Sequence, residues 1–139
     1  MTIRILLAVE HASMRESLRA LIDRQAGMEV VKEAENGRAM LQLSGSFKPD
    51  VVVMGINMSD LNSIDMARQL ISGTPGVKLL VLSLYSNPEF VDGMLKAGAT
   101  GYLLKDQAFE ELVRAIQTVA DDRTYLCPGI EDPPTSESG

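Results

Sequence analysis

The chain has 139 residues, of which 45% are hydrophobic and 23% charged, so its length and composition are those of one globular domain. The formal net charge of −6 argues against nucleic-acid binding by this segment itself, because phosphate contacts need a basic patch. A single cysteine, Cys127, excludes an internal disulfide and a cysteine-based metal cage. No apolar run has the length of a membrane span and no signal peptide is recognisable, so we expect a cytoplasmic protein that does not enter a membrane.

Apolar runs of strand length alternate with amphipathic stretches of helical spacing. In chain order, the predicted strands are residues 3–9, 28–34, 51–54, 79–84 and 100–104. The predicted helices are residues 14–25, 37–44, 64–71, 88–97 and 110–120. Residues 131–139 are rich in proline, serine and acidic side chains, and they predict a linker or disordered tail after a domain of residues 1–130.

Capping residues mark several of the predicted helix ends. Ser13 and Glu16 have the spacing of a capping box at the start of the first helix. Asn87 is expected to cap the fourth helix, with Pro88 at its first position. Gly98 is expected to end that helix.

Five consecutive strand–helix units predict an α/β fold, a doubly wound five-stranded parallel sheet with helices on both faces. Ligands of such sheets bind outside the carboxyl ends of the strands. These ends carry Glu10 and His11, then residues 55–57, then residues 83–85, then Lys105. We therefore expect these residues to converge on one cleft.

Several phosphate-binding folds are excluded by the loop after the first strand. Residues 8–12, Ala-Val-Glu-His-Ala, contain neither a Gly-x-Gly-x-x-Gly fingerprint nor the hydroxyl- and glycine-rich loop of a flavin-binding site. A Gly-Lys-Ser/Thr motif is also absent from the chain, which argues against a P-loop.

A set of segments spread over residues 2 to about 130 carries a family resemblance. They are residues 3–8 with His11 and residues 15–19, then residues 49–54, 75–83, 96–106 and 124–128. The most specific is residues 96–106, Lys-Ala-Gly-Ala-Thr-Gly-Tyr-Leu-Leu-Lys-Asp. Together they resemble the receiver domain of bacterial two-component response regulators, in particular the NarL/FixJ subfamily with its LuxR-type output. The resemblance implies a flavodoxin-like (βα)5 fold with strand order 2-1-3-4-5.

The resemblance also implies a chemistry and a set of positions. In that family a carboxylate nucleophile takes a phosphoryl group from a histidine kinase, and acidic residues hold Mg²⁺. A lysine contacts the phosphate, while a hydroxyl residue and an aromatic residue shift and remodel the dimerisation face. The matching positions here are Val9 and Glu10 for the acidic pair, Gly55 for the nucleophile, Ser83 for the hydroxyl, Tyr102 for the aromatic switch and Lys105 for the lysine.

Three of these positions depart from the family pattern. Val9 cannot bind a metal, Glu10 keeps a carboxylate on a longer arm, and Gly55 has no side chain to accept a phosphoryl group. What remains for a metal is one carboxylate and the backbone near Asn57, so we expect no useful Mg²⁺ affinity, no other cofactor and no catalytic residue. The prediction is a degenerate phosphorylation pocket of Val9, Glu10, Gly55, Asn57, Ser83 and Lys105.

The surviving residues allow two interpretations each. Glu10 and Lys105 either form an ion pair across the cleft or are both solvated at its rim. Ser83 and Tyr102 are either a retained switch, moved by something other than phosphate, or a small residue at a strand end and ordinary aromatic packing.

The sequence favours a regulatory domain over an enzyme, because no triad order, paired carboxylates or cofactor loop is present. The first hypothesis is a phosphorylation-independent receiver that controls a transcriptional output through protein contacts, as a homodimer or with a partner protein. DNA would then be bound only by a downstream helix-turn-helix domain. The alternatives are a conventional phosphorelay receiver, served by a histidine kinase and phosphorylated at Asp60 or Ser83, and a sensor of a small molecule or an anion near Lys105.

Overall fold

The computed structural model describes residues 2–56 and 61–130, and within them six strands form one parallel sheet. The strands are β1 (Ile3–Ala8), β2 (Met28–Ala34), β3 (Val51–Ile56), β4 (Lys78–Ser83), β5 (Gly101–Leu104) and β6 (Tyr125–Leu126). The helices are α1 (Ala12–Asp23), α2 (Gly37–Phe47), α3 (Leu61–Gly73), α4 (Pro88–Ala97) and α5 (Ala108–Ala120). None of the helices in these ranges is both long and apolar enough to cross a membrane.

The sheet order is β2-β1-β3-β4-β5-β6, which confirms the expected 2-1-3-4-5 arrangement and adds a short strand at one edge. The prediction of five strands therefore missed one strand. A two-residue strand carries no periodic signal, and β6 exists because the chain after α5 returns beside β5. Asn57 and the predicted tail, residues 131–139, lie outside the described residues.

Two apolar layers hold the helices against the sheet. On one face α1 and α5 pack residues such as Leu18, Ile22 and Ile116 against the strands. On the other face α2, α3 and α4 contribute residues such as Met40 and Leu70. Residues 51–53 of β3 are completely buried, as a strand covered on both faces should be.

Helix ends were predicted less well than helix positions. The first helix begins at Ala12 with His11 at the N-cap, so Ser13 lies inside the helix and the predicted capping box is wrong. Asn87 stands at the N-cap of α4 with Pro88 following, as predicted, but its side chain makes no capping hydrogen bond. Gly98 ends α4 with φ of 116°, a left-handed conformation that glycine adopts without a steric penalty.

Ser44 of α2 is completely buried, and its hydroxyl has no hydrogen-bond partner among the described residues. An unpaired buried hydroxyl is costly, and alanine is the better helix former. We expect Ser44→Ala to raise the free energy of unfolding by about 1 kcal/mol, measured by urea denaturation. Ser46→Ala, an exposed change in the same helix, should leave it unchanged within about 0.5 kcal/mol. A loss of stability specific to Ser44→Ala would mean that this hydroxyl makes a useful bond in solution.

Candidate functional site

The matched positions that the structure describes lie at the carboxyl edge of the sheet. Gly55 is the penultimate residue of β3, Ser83 is the last residue of β4, and Lys105 follows β5 directly. Ser83 is paired with Ile56 on one side and Leu104 on the other, so three neighbouring strands bring these positions together. The fold therefore brings these three positions to one edge of the sheet, while their convergence on a single cleft and the roles of the residues stay predictions.

Gly55 leaves a place that a side chain could fill. A Cβ added there would lie 3.4 Å from Cγ2 of Val9 and 3.5 Å from the carbonyl oxygen of Ala8, which are ordinary contact distances. The backbone at Gly55 is not in the left-handed region where glycine is required. Neither crowding around Cβ nor a left-handed backbone requires glycine at this position. What the glycine changes is the chemistry, because it leaves this end of β3 without a functional group.

Val9 makes the neighbouring position apolar. Only 2% of its surface is exposed, and it belongs to the apolar layer beneath α1 and α5. Its backbone N–H donates to the carbonyl of Ala34 at 3.1 Å, which extends the pairing of β1 and β2 by one residue. Glu10, the next residue, is exposed.

A cavity of about 230 Å³ lies beside Gly55, between the ends of β1 and β3 and the helices α2 and α3. Its apolar part is formed by Met40, Met54 and Met66, and its polar part includes Glu10 and Glu35. Lys105 is not among the described residues that line it. The cavity therefore combines an apolar wall with negative charge.

The negative charge of Glu10 acts on Lys105. Partial burial lowers the pKa of Lys105, and the negative charge of Glu10 opposes that shift. The carboxylate is thus close enough to stabilise the lysine's charged form. This is consistent with the ion-pair interpretation of the two residues, which remains a prediction.

Ser83 and Tyr102 belong to one hydrogen-bonded group around Tyr85. Oγ of Ser83 accepts from the backbone N–H of Tyr85 at 3.0 Å, and the hydroxyl of Tyr102 donates to the carbonyl of Tyr85 at 2.6 Å. The ring of Phe90 packs edge-on against those of both Tyr85 and Tyr102. Ser83 and Tyr102 are completely buried. In this conformation both residues serve packing, and any switch role requires Tyr102 to leave the core.

Burial raises the pKa of Tyr102 to about 12, although the hydroxyl of Ser83 lowers it in part. Because the protonated form is favoured by folding, this stabilisation is complete below pH 10 and is lost as the pH rises towards 12. We expect the midpoint of urea unfolding to fall across this window. Tyr102→Phe should show a shallower fall, not a flat one, because burial also raises the pKa of Tyr125. An equally steep fall in Tyr102→Phe would contradict the assignment.

Arg15 is a residue of this edge that sequence reasoning missed. Its guanidinium donates to the carbonyl of Val9 at 2.7 Å and contacts the carboxylates of Glu33 at 3.1 Å and Glu35 at 3.7 Å. Its side chain is only 12% exposed. Arg15 of α1 thus links the end of β1, through a hydrogen bond, to acidic side chains at the end of β2, through ion pairs. Nothing in the spacing of α1 indicated this, because the acceptors come from two strands.

The matched positions offer few oxygen ligands for a metal ion such as Mg²⁺. Of Val9, Glu10 and Gly55, only Glu10 offers a carboxylate, whereas Mg²⁺ requires an octahedral set of oxygen ligands. Across residues 2–56 and 61–130, no group of three or more His, Cys, Asp or Glu side chains is arranged to hold a metal ion.

Comparison with known proteins gives consistent matches. The family model described as "Response regulator receiver domain" matches residues 5–117. The transcriptional regulatory protein DegU of Brevibacillus brevis is 35% identical over 128 residues, covering 92% of this chain and 54% of that protein. The uncharacterized transcriptional regulatory protein YxjL of Bacillus subtilis is 37% identical over 118 residues, covering 85% and 54%. The chain thus spans about half the length of the curated relatives it matches.

Solved structures agree with the fold. A LuxR-family two-component response regulator from Aurantimonas sp. SI85-9A1 has a TM-score of 0.86 at 31% identity, covering 94% of this chain and 93% of that one. The signal receiver domain of the putative response regulator NarL from Mycobacterium tuberculosis has a TM-score of 0.80 at 29% identity, covering 88% and 98%.

Proposed function

The chain belongs to the response regulator receiver domain family, and we propose that it is a member that regulates its output without being phosphorylated. The observation that carries the proposal is Gly55, which leaves the end of β3 without a functional group although a Cβ there would make only ordinary contacts. The apolar Val9 beside it supports the same conclusion. With only Glu10 left of the acidic positions, we propose that the function needs no Mg²⁺.

The output is proposed from the relatives. DegU and YxjL are described as transcriptional regulatory proteins, and the chain matches about half of each. We propose that this receiver controls transcription through a helix-turn-helix domain that follows the linker at residues 131–139. Signals would pass by contacts with a second copy or a partner protein in the cytoplasm, and a histidine kinase would be dispensable.

The two alternatives have less support. Phosphorylation of Ser83 would require a hydroxyl that is completely buried and already accepts a hydrogen bond from Tyr85. Asp60, the other candidate, lies outside the described residues. An anion sensor near Lys105 gains no support from the cavity, because Lys105 is not among the described residues that line it and Glu10 and Glu35 give the lining negative charge.

Intact mass measurement tests the proposal. The native chain is treated with a small acyl phosphate and Mg²⁺, beside a positive control that carries both Val9→Asp and Gly55→Asp. We expect the native mass to stay unchanged while the control gains one phosphoryl group. A stoichiometric adduct on the native chain would overturn phosphorylation independence.

A further inference from the structure

The chain after α5 returns along the open side of β5 and covers it. We name residues 125–130 the C-terminal strap. Its first two residues form β6, which runs parallel to β5 with Tyr125 opposite Gly101 and Leu126 opposite Tyr102. Gly101 allows this close approach, since a Cβ there would lie 3.3 Å from Cβ of Tyr125 and 2.9 Å from side-chain atoms of Leu80 and Val119.

The strap is hydrogen-bonded to the strand that carries the aromatic position. The backbone N–H of Cys127 donates to the carbonyl of Tyr102 at 3.2 Å. The backbone N–H of Leu104 donates to Sγ of Cys127 at 3.3 Å. Only 1% of Cys127 is exposed. The carbonyl of Tyr102 and the N–H of Leu104, the residue before Lys105, therefore both find their hydrogen-bond partner in the strap.

Both ends of the strap are also fastened. At its start, the hydroxyl of Tyr125 donates to the carboxylate of Glu111 on α5. Near its end, the side-chain amide of Gln107 donates to the carbonyl of Pro128 at 2.7 Å. Gln107 lies in the 3-10 turn that begins at Lys105, so the strap is tied to the same turn as the lysine of the pocket.

The strap ends in a tight turn at the carboxyl edge of the sheet. The N–H of Ile130 donates to the carbonyl of Cys127 at 3.2 Å, and Gly129 has φ of 96°. Proline followed by glycine at the two central positions is the signature of a type II turn. Ile130 packs against apolar residues of both layers. The described chain thus ends beside the edge that carries the degenerate pocket.

We propose that the C-terminal strap is the coupling element of this receiver: it opens and closes as a local unit, and its closure depends on the hydrogen bond that holds the hydroxyl of Tyr102 at the carbonyl of Tyr85. The proposal rests on the proposed function, and it names the route by which the pocket edge acts on the polypeptide beyond residue 130. An open strap leaves the carbonyl of Tyr102 and the N–H of Leu104 without their partners and turns β5 into an edge strand. A closed strap holds β5 in the conformation described above.

The short pairing of the strap and the exposure of the residues before it are consistent with local opening. It contributes a two-residue strand at the sheet edge, and the hinge before it, residues 121–124, is exposed. Asp122 in that hinge has φ of 68°, a left-handed conformation that aspartate tolerates better than most residues. Segments with short pairing and exposed flanks open with a lower free energy than the whole domain.

Thiol labelling of Cys127 in the 139-residue chain tests the proposal, because this is the only cysteine. Burial raises the pKa of its thiol, so the closed strap protects it from a small disulfide reagent. Under native conditions we expect labelling through local opening, with a weaker urea dependence than global unfolding. Gln107→Ala, which removes the bond to Pro128, should accelerate labelling about fivefold. Gln117→Ala, an exposed change on α5, is the matched control and should not alter the rate.

Coupling to the pocket edge is tested with Tyr102→Phe, which removes the hydroxyl that donates to Tyr85. The proposal requires a several-fold faster labelling of Cys127 at zero urea in this variant. The proposal is overturned if labelling has the same urea dependence as global unfolding. It is also overturned if the labelling rate is unchanged in either Gln107→Ala or Tyr102→Phe. None of the labelling experiments involves phosphorylation. A negative labelling result would therefore not contradict phosphorylation independence. A phosphoryl adduct on the native chain would in turn not change the labelling result.

Discussion

The variant carrying both Val9→Asp and Gly55→Asp is expected to gain an adduct of about 80 Da when treated with a small acyl phosphate and Mg²⁺, while the native chain keeps its own mass. The effect is expected to be all or none, because glycine at position 55 offers no side chain that could accept a phosphoryl group. A Cβ at position 55 makes only ordinary contacts with Val9 and Ala8, so the first atom of an aspartate side chain fits there. Together with Glu10, two further carboxylates would restore oxygen ligands for the metal.

The same variant should be less stable than the native chain when Mg²⁺ is absent. Val9 is 2% exposed and belongs to an apolar layer, so a carboxylate in its place loses hydration among apolar side chains. We expect a loss of about 2 kcal/mol in the free energy of unfolding, partly recovered on adding Mg²⁺. Circular dichroism checks that the variant is folded at the temperature of the mass measurement.

Gly55→Ala separates the nucleophile from the change in size. It fills the same space without a functional group, so it should stay unmodified and fold at least as stably, because glycine within a strand is unfavourable. A folded double variant that remains unmodified would show that carboxylates at positions 9 and 55 are not enough to restore phosphoryl transfer, and that the lack of a side chain at Gly55 is not the deciding feature. Modification of Gly55→Ala would indicate reaction at an unrelated residue.

Arg15→Ala is expected to lower the free energy of unfolding by about 2–3 kcal/mol. The guanidinium is largely buried and serves the carbonyl of Val9 and the carboxylate of Glu33 together. Its removal leaves these acceptors without the donor that compensates their burial. Arg19 also contacts Glu33, so part of the interaction survives, and the loss stays below that of a fully buried unpaired charge. Urea denaturation measures the change.

Two control variants accompany Arg15→Ala. Arg68 forms an ion pair with Asp65 in which both side chains are more than 60% exposed, so Arg68→Ala should cost less than about 0.5 kcal/mol. Arg15→Lys keeps the charge but loses the planar, multiply donating group, and it should fall between the two. Equal small losses in Arg15→Ala and Arg68→Ala would show that the cation does not fasten β1 to β2.

Much of the fold could be predicted because its signals are local. Apolar runs such as residues 51–53 and helical spacing such as that of Leu112, Ile116 and Val119 depend only on neighbours in the chain. Helix ends were less predictable. Ser13 and Glu16 have the spacing of a capping box, but α1 already begins at Ala12, so Ser13 is not at the helix end. The strand β6 was missed because two residues cannot display a period.

The sequence by itself determined the alternation of strands and helices, the edge of the sheet that carries the matched positions and the absence of a functional group at Gly55, since each follows from residue types and their local order. Only the tertiary structure decided that Arg15 fastens β1 to β2, that Tyr102 is buried beneath Tyr85 and Phe90, and that the C-terminal strap closes over β5. These contacts join residues far apart in the chain. Their formation depends on how the packed layers position each side chain, and a linear pattern does not carry that information.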